Sequence, residues 1–140
     1  MNYIAASINQ SPVIAMKAGA DLADVRGKAV MFDETGGIVL ADAGKSALGI
    51  AVLSNPENIN KGDDIDIQIK DIGHVKAGAA VKPGDALAPD ANGALVPAAS
   101  GSYIAVTLES GAKDAFVQAV MRSGSLAAAS GGATPATPGS

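Results

Sequence analysis

The sequence predicts an all-β fold, a small barrel or sandwich, from three features of composition and pattern. Apolar residues fill 48% of the 140 positions although only 3% are aromatic, so the core must be built mainly from Ala, Val, Ile and Leu. The 17 glycines and 7 prolines indicate frequent turns. Short apolar runs alternate with polar residues at a period of two, which is typical of half-buried strands.

The clearest strand pattern covers residues 64–70. Ile65, Ile67 and Ile69 are expected to face the core, and the residues between and beside them, Asp64, Asp66, Gln68 and Lys70, to face solvent. Further strands are predicted at 13–17, 29–32, 38–40, 48–53, 103–108 and 115–121. Turn sequences rich in Asp, Asn and Gly separate them at 33–37, 82–85 and 90–93. Only residues 20–26 have a helical pattern, over about two turns at most.

An internal repeat organises these strands. The pattern that begins at Gly27 and leads through Asp33 to Gly36 recurs from Gly84 through Asp90 to Gly93. Residues 46–52 then resemble 102–108, and 64–68 resemble 114–118. The sequence therefore predicts two similar β-units, about 27–70 and 84–121, which together form a pseudo-symmetric barrel or sandwich.

Composition also divides the chain into three regions. Residues 1–10 are uncharged and mildly apolar and predict an extended N-terminal arm. Residues 11–122 carry every charged side chain and predict the β domain. Residues 123–140 consist of Gly, Ala, Ser, Thr and Pro apart from Leu126, which predicts a flexible low-complexity tail.

Several classes of function are disfavoured by composition. A net charge of −4 without a basic cluster argues against nucleic-acid binding. The apolar runs are far shorter than the roughly 20 residues that span a bilayer, and the first ten residues lack the regions of a signal peptide. With no cysteine, the chain has neither disulfides nor a thiolate site. We expect a soluble protein synthesised in a cytoplasm.

No residue pattern predicts catalysis, a cofactor or a metal. The single histidine, His74, is expected to be an ordinary strand or turn residue. Gly44-Lys45-Ser46 matches the last three residues of the phosphate-binding loop motif, but the first glycine of that motif would fall at position 39, which is Val39. The acidic residues of 63–71 lack the glycine and terminal glutamate of a calcium loop and predict a solvated strand face. The chain is expected not to be an enzyme.

The order of these turns and strands resembles the capsid cement, or decoration, proteins of tailed phages. The resemblance covers roughly residues 13–121, which is most of the chain. The stretches that carry it are 27–33, 48–51, 62–69, 73–87, 90–93 and 104–109, among them Gly-His-Val-Lys-Ala-Gly-Ala-Ala-Val-Lys-Pro-Gly-Asp-Ala-Leu. It implies a compact β protein that binds the outer surface of the mature head as a homo-oligomer, with a trimer favoured. Its partner would be the major capsid protein.

On this interpretation the N-terminal arm is expected to contact the capsid, or else to be a frayed end. Its candidate contact residues are Asn2, Tyr3, Ile4 and Ile8. An extended arm of this kind can add a strand to the edge of a partner's sheet. The alternative function is a carbohydrate- or surface-binding β module of a phage fibre or cell-wall protein. Such modules use aromatic platforms, and this chain has only two Tyr and two Phe.

Overall fold

The computed structural model describes residues 11–127, and over that range the chain forms ten β-strands and no helix. The strands are β1 (Val13–Lys17), β2 (Ala29–Phe32), β3 (Ile38–Leu40), β4 (Gly49–Ala51), β5 (Asp64–Gln68), β6 (Ile72–Lys76), β7 (Ala86–Pro89), β8 (Leu95–Pro97), β9 (Gly101–Thr107) and β10 (Phe116–Leu126). They form two five-stranded antiparallel sheets in a sandwich-like arrangement. The predicted all-β class is confirmed.

The two sheets have the same strand order, which shows that the fold is duplicated. The first unit, residues 13–68, has the order β1-β5-β4-β2-β3, and the second, residues 72–126, has the order β6-β10-β9-β7-β8. A parallel bridge between Ala18 and Ile38 joins the end of β1 to β3, and Ala77 and Leu95 form the same bridge in the second unit. Each sheet therefore curls until its two edge strands meet, which protects those edges.

Both units begin earlier than the predicted starts at 27 and 84, because β1 and β6 also belong to the repeat. The signal is the sequence Lys-Ala-Gly-Ala, which occurs at 17–20 and again at 76–79. With these sequences aligned, the strand pairing matches residues 64–68 to 116–120 and not to the predicted 114–118. Gly19 and Gly78 lie against the carboxylates of Asp33 and Asp90, so close that a side chain at either glycine would collide with that carboxylate. Each Lys-Ala-Gly-Ala sequence therefore fixes its strand against the hairpin turn of its own unit.

The aspartate of each hairpin turn is held by backbone amides. Asp33 Oδ1 accepts hydrogen bonds from the N–H groups of Thr35 (2.8 Å) and Gly37 (2.9 Å). Asp90 Oδ1 accepts equivalent bonds from residues 92 (2.8 Å) and 94 (3.1 Å). Gly36 and Gly93 have positive φ angles of 87° and 83°, which glycine adopts without strain. The Asp-x-x-Gly pattern in the sequence therefore predicted both hairpins correctly.

The helical prediction for residues 20–26 is wrong. Leu22 and Val25 are buried, and their N–H groups bond to the carbonyls of Ile59 (2.8 Å) and Glu57 (2.9 Å) rather than to residues four positions earlier. Asp24 between them has a φ of 51°. Pairing with the β4–β5 loop thus replaces the intrahelical bonds that a helix would need.

The strand predicted at 64–70 is confirmed at Ile65 and Ile67, which are fully buried, but it ends at Gln68. Ile69 is 38% exposed and its N–H bonds to the carbonyl of Pro12 at 2.8 Å, while Gln68 is buried in its place. Gln68 keeps the face opposite to Ile67, as the alternation predicts, but that face is covered where the chain enters the second unit. Ile69 lies beyond the end of the strand and is exposed.

Residues 123–126, which were predicted to belong to the tail, are part of β10, which continues to Leu126. A register shift between Met121 and Gly124 lets the strand continue beside β9, where Leu126 pairs with Gly101. Gly124 lies against the ring of Tyr103, which leaves no room for a side chain there. The rest of the predicted tail, residues 128–140, and the predicted arm, residues 1–10, lie outside the described residues.

The two units are joined by a contact that we call the inner seam, formed by Asp24, Gly27 and Ala29 of the first unit and Lys76, Gly93 and Phe116 of the second. The Lys76 N–H donates to the Gly27 carbonyl at 2.7 Å, and the Ala29 N–H donates to the Gly93 carbonyl at 2.8 Å. The buried first-unit side chains of Ala29, Ala41 and Ile50 join the core of the second unit. Backbone bonds and apolar packing therefore hold the units together.

Candidate functional site

A polar cavity of about 170 Å³ lies on the inner seam. Three acidic and three basic side chains line it: Asp24, Lys28, Lys76, Asp90, Lys113 and Asp114. The Asp24 carboxylate accepts a hydrogen bond from the Lys76 ammonium at 2.8 Å and lies 3.6 Å from that of Lys28. The charges balance, and the Asp24–Lys76 pair connects the two units, so the cavity is part of their contact.

The ammonium groups around Asp24 also determine its ionisation. The hydrogen bond from Lys76 holds the pKa of Asp24 below its ordinary value; burial acts in the opposite direction, and the charge of Lys28 lowers the pKa further. The pKa of Asp33 is lowered as well, first by the hydrogen bond from the Thr35 hydroxyl and then by the backbone amides of its turn. Both carboxylates are therefore more acidic in the folded protein than in the unfolded chain.

We predict that the protein loses stability in acid, in part through Asp24. A carboxylate with a lowered folded-state pKa contributes its full stabilisation above the unfolded pKa of about 3.9 and loses it as the pH falls through the folded pKa. The melting temperature, followed by far-UV circular dichroism, should be nearly constant from about pH 7 to 5 and fall below about pH 4.

The variant Asp24→Asn should reduce the steepness of this acid loss. The reduction should be small, because the Asp24 side chain is 40% exposed and solvent screens its ion pairs. Glu34→Gln, which removes an exposed carboxylate, is the control and should leave the acid loss unchanged. An Asp24→Asn protein with the wild-type slope would show that the seam ion pair does not contribute.

The structure places the other candidate chemical groups apart. His74 is an exposed residue of β6 opposite Gln118, and Lys45 lies in an exposed turn. The side chain of Asp64 pairs with Lys17 at 2.6 Å. Within residues 11–127 no group of three or more His, Cys, Asp or Glu side chains could hold a metal ion. The same residues include no helix long and apolar enough to cross a membrane.

The surface of the second unit carries a group of neighbouring apolar side chains. A row of four crosses the sheet of the second unit: Ala86 pairs with Val106, Val106 with Val120, and Val120 with Ile72. Directly paired residues share one face of a sheet, so the four side chains form a continuous strip, which we call the outer row. Ile72 is 58% exposed, and the other three are half-buried.

The outer row ends where the two units are connected. Ile69 and Ile72 flank the short linker and are both exposed. Because Ile69 bonds to Pro12, the chain enters the described structure beside them. The predicted capsid-contact residues Asn2, Tyr3, Ile4 and Ile8 lie outside the described residues, so the structure locates only the base of the predicted arm. We call Ile69, Ile72 and Pro12, which bonds to Ile69, the junction patch.

Gln68 holds the linker in place, and sequence patterning missed this role. Its side-chain Nε2 donates to the carbonyls of Lys70 (2.8 Å) and Ile72 (2.9 Å). Alternation had placed Gln68 on the solvent face. The available signal was Gly73, since any side chain there would collide with the Gln68 amide. The exposed isoleucines of the junction patch therefore have a rigid support.

Comparison with known proteins identifies the architecture. No family model and no curated protein matches the chain. Among solved structures, the chain is similar to the N base of head fiber gp8.5 of bacteriophage phi29, with a TM-score of 0.60 and 20% sequence identity. The match covers 79% of this chain and 92% of that chain, so it extends over parts of both units. At this identity the likeness establishes a shared fold.

Proposed function

We propose that this chain is a structural protein of a tailed-phage head, a cement protein that binds the outer surface of the capsid and bridges neighbouring major capsid proteins. The observation that carries the proposal is the likeness of its two-unit fold to the base of a phage head fiber. The resemblance of its turn and strand sequences to capsid cement proteins supports the same role. The proposed location is the virion surface, after synthesis in the host cytoplasm, and the role needs no catalysis.

The physical properties of the fold suit such a role. The two units are joined by backbone hydrogen bonds and a shared core, so the protein can bind without first becoming ordered, which would cost free energy. A protein that binds only the assembled shell stabilises that shell by mass action. Over the many equivalent sites of a capsid, a modest free energy per copy becomes a large total.

The junction patch and the arm are the proposed capsid-binding surface. Ile72, the most exposed large apolar residue described, lies beside the point where the chain enters the structure. Tyr3, Ile4 and Ile8 would extend this apolar surface onto the partner. Fully desolvated aromatic and aliphatic anchors of this type contribute most of the binding free energy at interfaces. A homo-oligomer, with a trimer favoured, would present several such surfaces at once and bind by avidity.

Binding to phage heads tests the proposal. The purified protein, mixed with mature heads that lack their decoration protein, should cosediment with them to saturation and raise their melting temperature. Removal of residues 1–10 should weaken this binding by at least about tenfold, or 1.4 kcal/mol, because the arm would supply apolar anchors.

The matched control is removal of residues 128–140, which should leave head binding unchanged. The melting temperature of the free protein should be unaffected in both truncations. Specific binding to a glycan, with no binding to heads, would contradict the capsid role and support the carbohydrate-binding alternative. Unfolding on removal of residues 1–10 would show that the arm belongs to the β domain.

A further inference from the structure

We infer that copies of this chain associate head to tail, and that the outer row of one copy packs against the exposed end of the first unit of the next copy. The geometry expected between copies is that of the inner seam, repeated from one chain to the next. The inference rests on the internal duplication and not on the proposed capsid role. It concerns mainly Ala86 and Val106, because Val13, the first-unit residue equivalent to Ile72, is itself only half-buried, so Ile72 would stay accessible to the capsid.

The two units correspond residue by residue across the inner seam. The four positions equivalent to the outer row form a row in the first unit, in which Ala29 pairs with Ile50, Ile50 with Gln68, and Gln68 with Val13. We call this the covered row. The second unit contributes Lys76 and Gly93 to the seam. The equivalent residues of the first unit are Lys17 and Gly36.

The exposure of equivalent residues shows that both surfaces of the inner seam are buried where the two units meet. The equivalent surface on the far side of each unit is not buried. In the covered row Ala29 is 0% and Ile50 1% exposed, because the second unit packs on them. Their counterparts Ala86 and Val106 are only half-buried. On the other side of the seam Gly93 is buried, and its counterpart Gly36 is exposed.

The glycines of the seam give the same result independently. A side chain at Gly27 would meet Lys76 and Phe116 at 2.9 Å, and one at Gly93 would meet the Ala29 carbonyl at 3.0 Å. Equivalent side chains at Gly84 and Gly36 would meet nothing within 4 Å. The inner contact is thus heterologous, because two different surfaces of the repeated unit meet in it. The first unit uses the surface that contains the covered row, and the second unit uses the surface that contains Lys76 and Gly93. Each unit leaves the other of these two surfaces free.

The outer row, which is the free counterpart of the covered row, is apolar, unlike the outer faces of the terminal repeats in repeat proteins that remain monomeric. Terminal repeats normally carry a polar outer face, which keeps them from associating. The outer row is instead Ala, Val, Val and Ile, without a polar residue. Its apolar character is explained if a second copy covers it.

Charge complementarity selects the end of the first unit as the partner. Lys76 at the seam has a counterpart in Lys17, whose side chain is 70% exposed. Asp24, the seam partner of Lys76, belongs to a loop that is shorter in the second unit, but Asp85 stands at the position equivalent to Lys28. Lys17 of one copy would therefore face Asp85 of the next. Repetition of one heterologous contact closes into a ring when the rotation permits.

Cross-linking tests the arrangement, because the chain has no cysteine of its own. The double variant Lys17→Cys/Asp85→Cys, treated with a short bismaleimide, should give a ladder of covalent oligomers that stops at the ring size. Each single variant should give no ladder, since a head-to-tail contact brings two different residues together. The control pair Ser54→Cys/Ser110→Cys, in two exposed loops, should also give none. Cross-linking by a single variant would indicate a two-fold contact and overturn the inference.

Substitution of an outer-row residue by a charged one tests the same surface without chemical cross-linking. Ala86→Glu should convert the oligomer to a monomer in sedimentation velocity, and its melting temperature should match that of the wild type diluted until it is monomeric. Ala29→Glu, the equivalent change in the covered row, should instead lower the melting temperature. A wild-type protein that is monomeric at about 1 mM, or an oligomer unaffected by Ala86→Glu, would overturn the inference. Head binding is measured separately, so either proposal can fail alone.

Discussion

Replacement of Gln68 by glutamate is expected to destabilise the protein by about 3 kcal/mol or more at neutral pH. The Gln68 amide donates two hydrogen bonds, to the carbonyls of Lys70 and Ile72. An ionised carboxylate in this buried position would donate neither and would place its charge beside two carbonyl oxygens. A protonated one would donate a single bond. Either form deprives at least one of these part-buried carbonyls of its bond from residue 68, at the point where the two units join.

The destabilisation of Gln68→Glu should depend on pH, which separates it from a simple packing defect. Burial and the facing carbonyls would raise the folded-state pKa of the new carboxyl above its unfolded value of about 4.3. The difference from wild type should therefore be smallest near pH 4 and grow as the pH rises. Urea unfolding followed by circular dichroism at several pH values measures it, since the chain has no Trp.

The control is Gln118→Glu, the same chemical change on an exposed residue of β10. It should alter the free energy of unfolding by no more than about 0.5 kcal/mol. Equal effects of the two variants would mean that Gln68 does not hold the linker through its amide.

Local patterns in the sequence predicted the local parts of this fold. Ile65 and Ile67 alternate with polar residues and are buried, because a strand presents alternate side chains to one face. Asp33 and Asp90 precede a glycine at the spacing of a tight turn, and each organises a hairpin. In these cases the cause of the structure lies within a few residues and is visible in the sequence.

The features that sequence patterning missed depend on contacts between distant residues. Residues 20–26 have a helical pattern, but Leu22 and Val25 bond instead to the loop that contains Ile59 and Glu57. Gln68 follows the polar alternation, yet the entry into the second unit buries it. Tertiary pairing overrides weak local preference in both places. The repeat was recognised only where its turns are alike, so its first strand was overlooked.

The surfaces of the candidate site could be predicted only in part. Composition singled out the first ten residues as an apolar arm with candidate contacts, which lie outside the described structure. The outer row could not be predicted, because its four residues come from four strands and become neighbours only through the sheet order. No sequence pattern singles out Ile72, and the structure shows it to be 58% exposed.

Replacement of Ile50 by alanine should lower the free energy of unfolding by about 3 kcal/mol, within the range for a fully buried isoleucine. Ile50 lies in the covered row and belongs to the core cluster that both units share. The cavity left by the missing atoms would open between the two sheets, and the short strand β4 that carries Ile50 has paired neighbours on both sides. The surrounding backbone therefore has little freedom to collapse into the space.

Ile72→Ala removes the same atoms from an exposed position and is the matched control, with an expected change within about 0.5 kcal/mol. If the units fold as one cooperative body through the inner seam, Ile50→Ala should shift a single unfolding transition and leave the denaturant dependence unchanged. Two separate transitions in the variant would show that each unit is stable alone and that the seam only joins them. A loss as small as that of Ile72→Ala would mean that the second unit does not cover Ile50 in solution. The covered row would then be as open as the outer row, and the asymmetry between the two ends of the molecule would disappear.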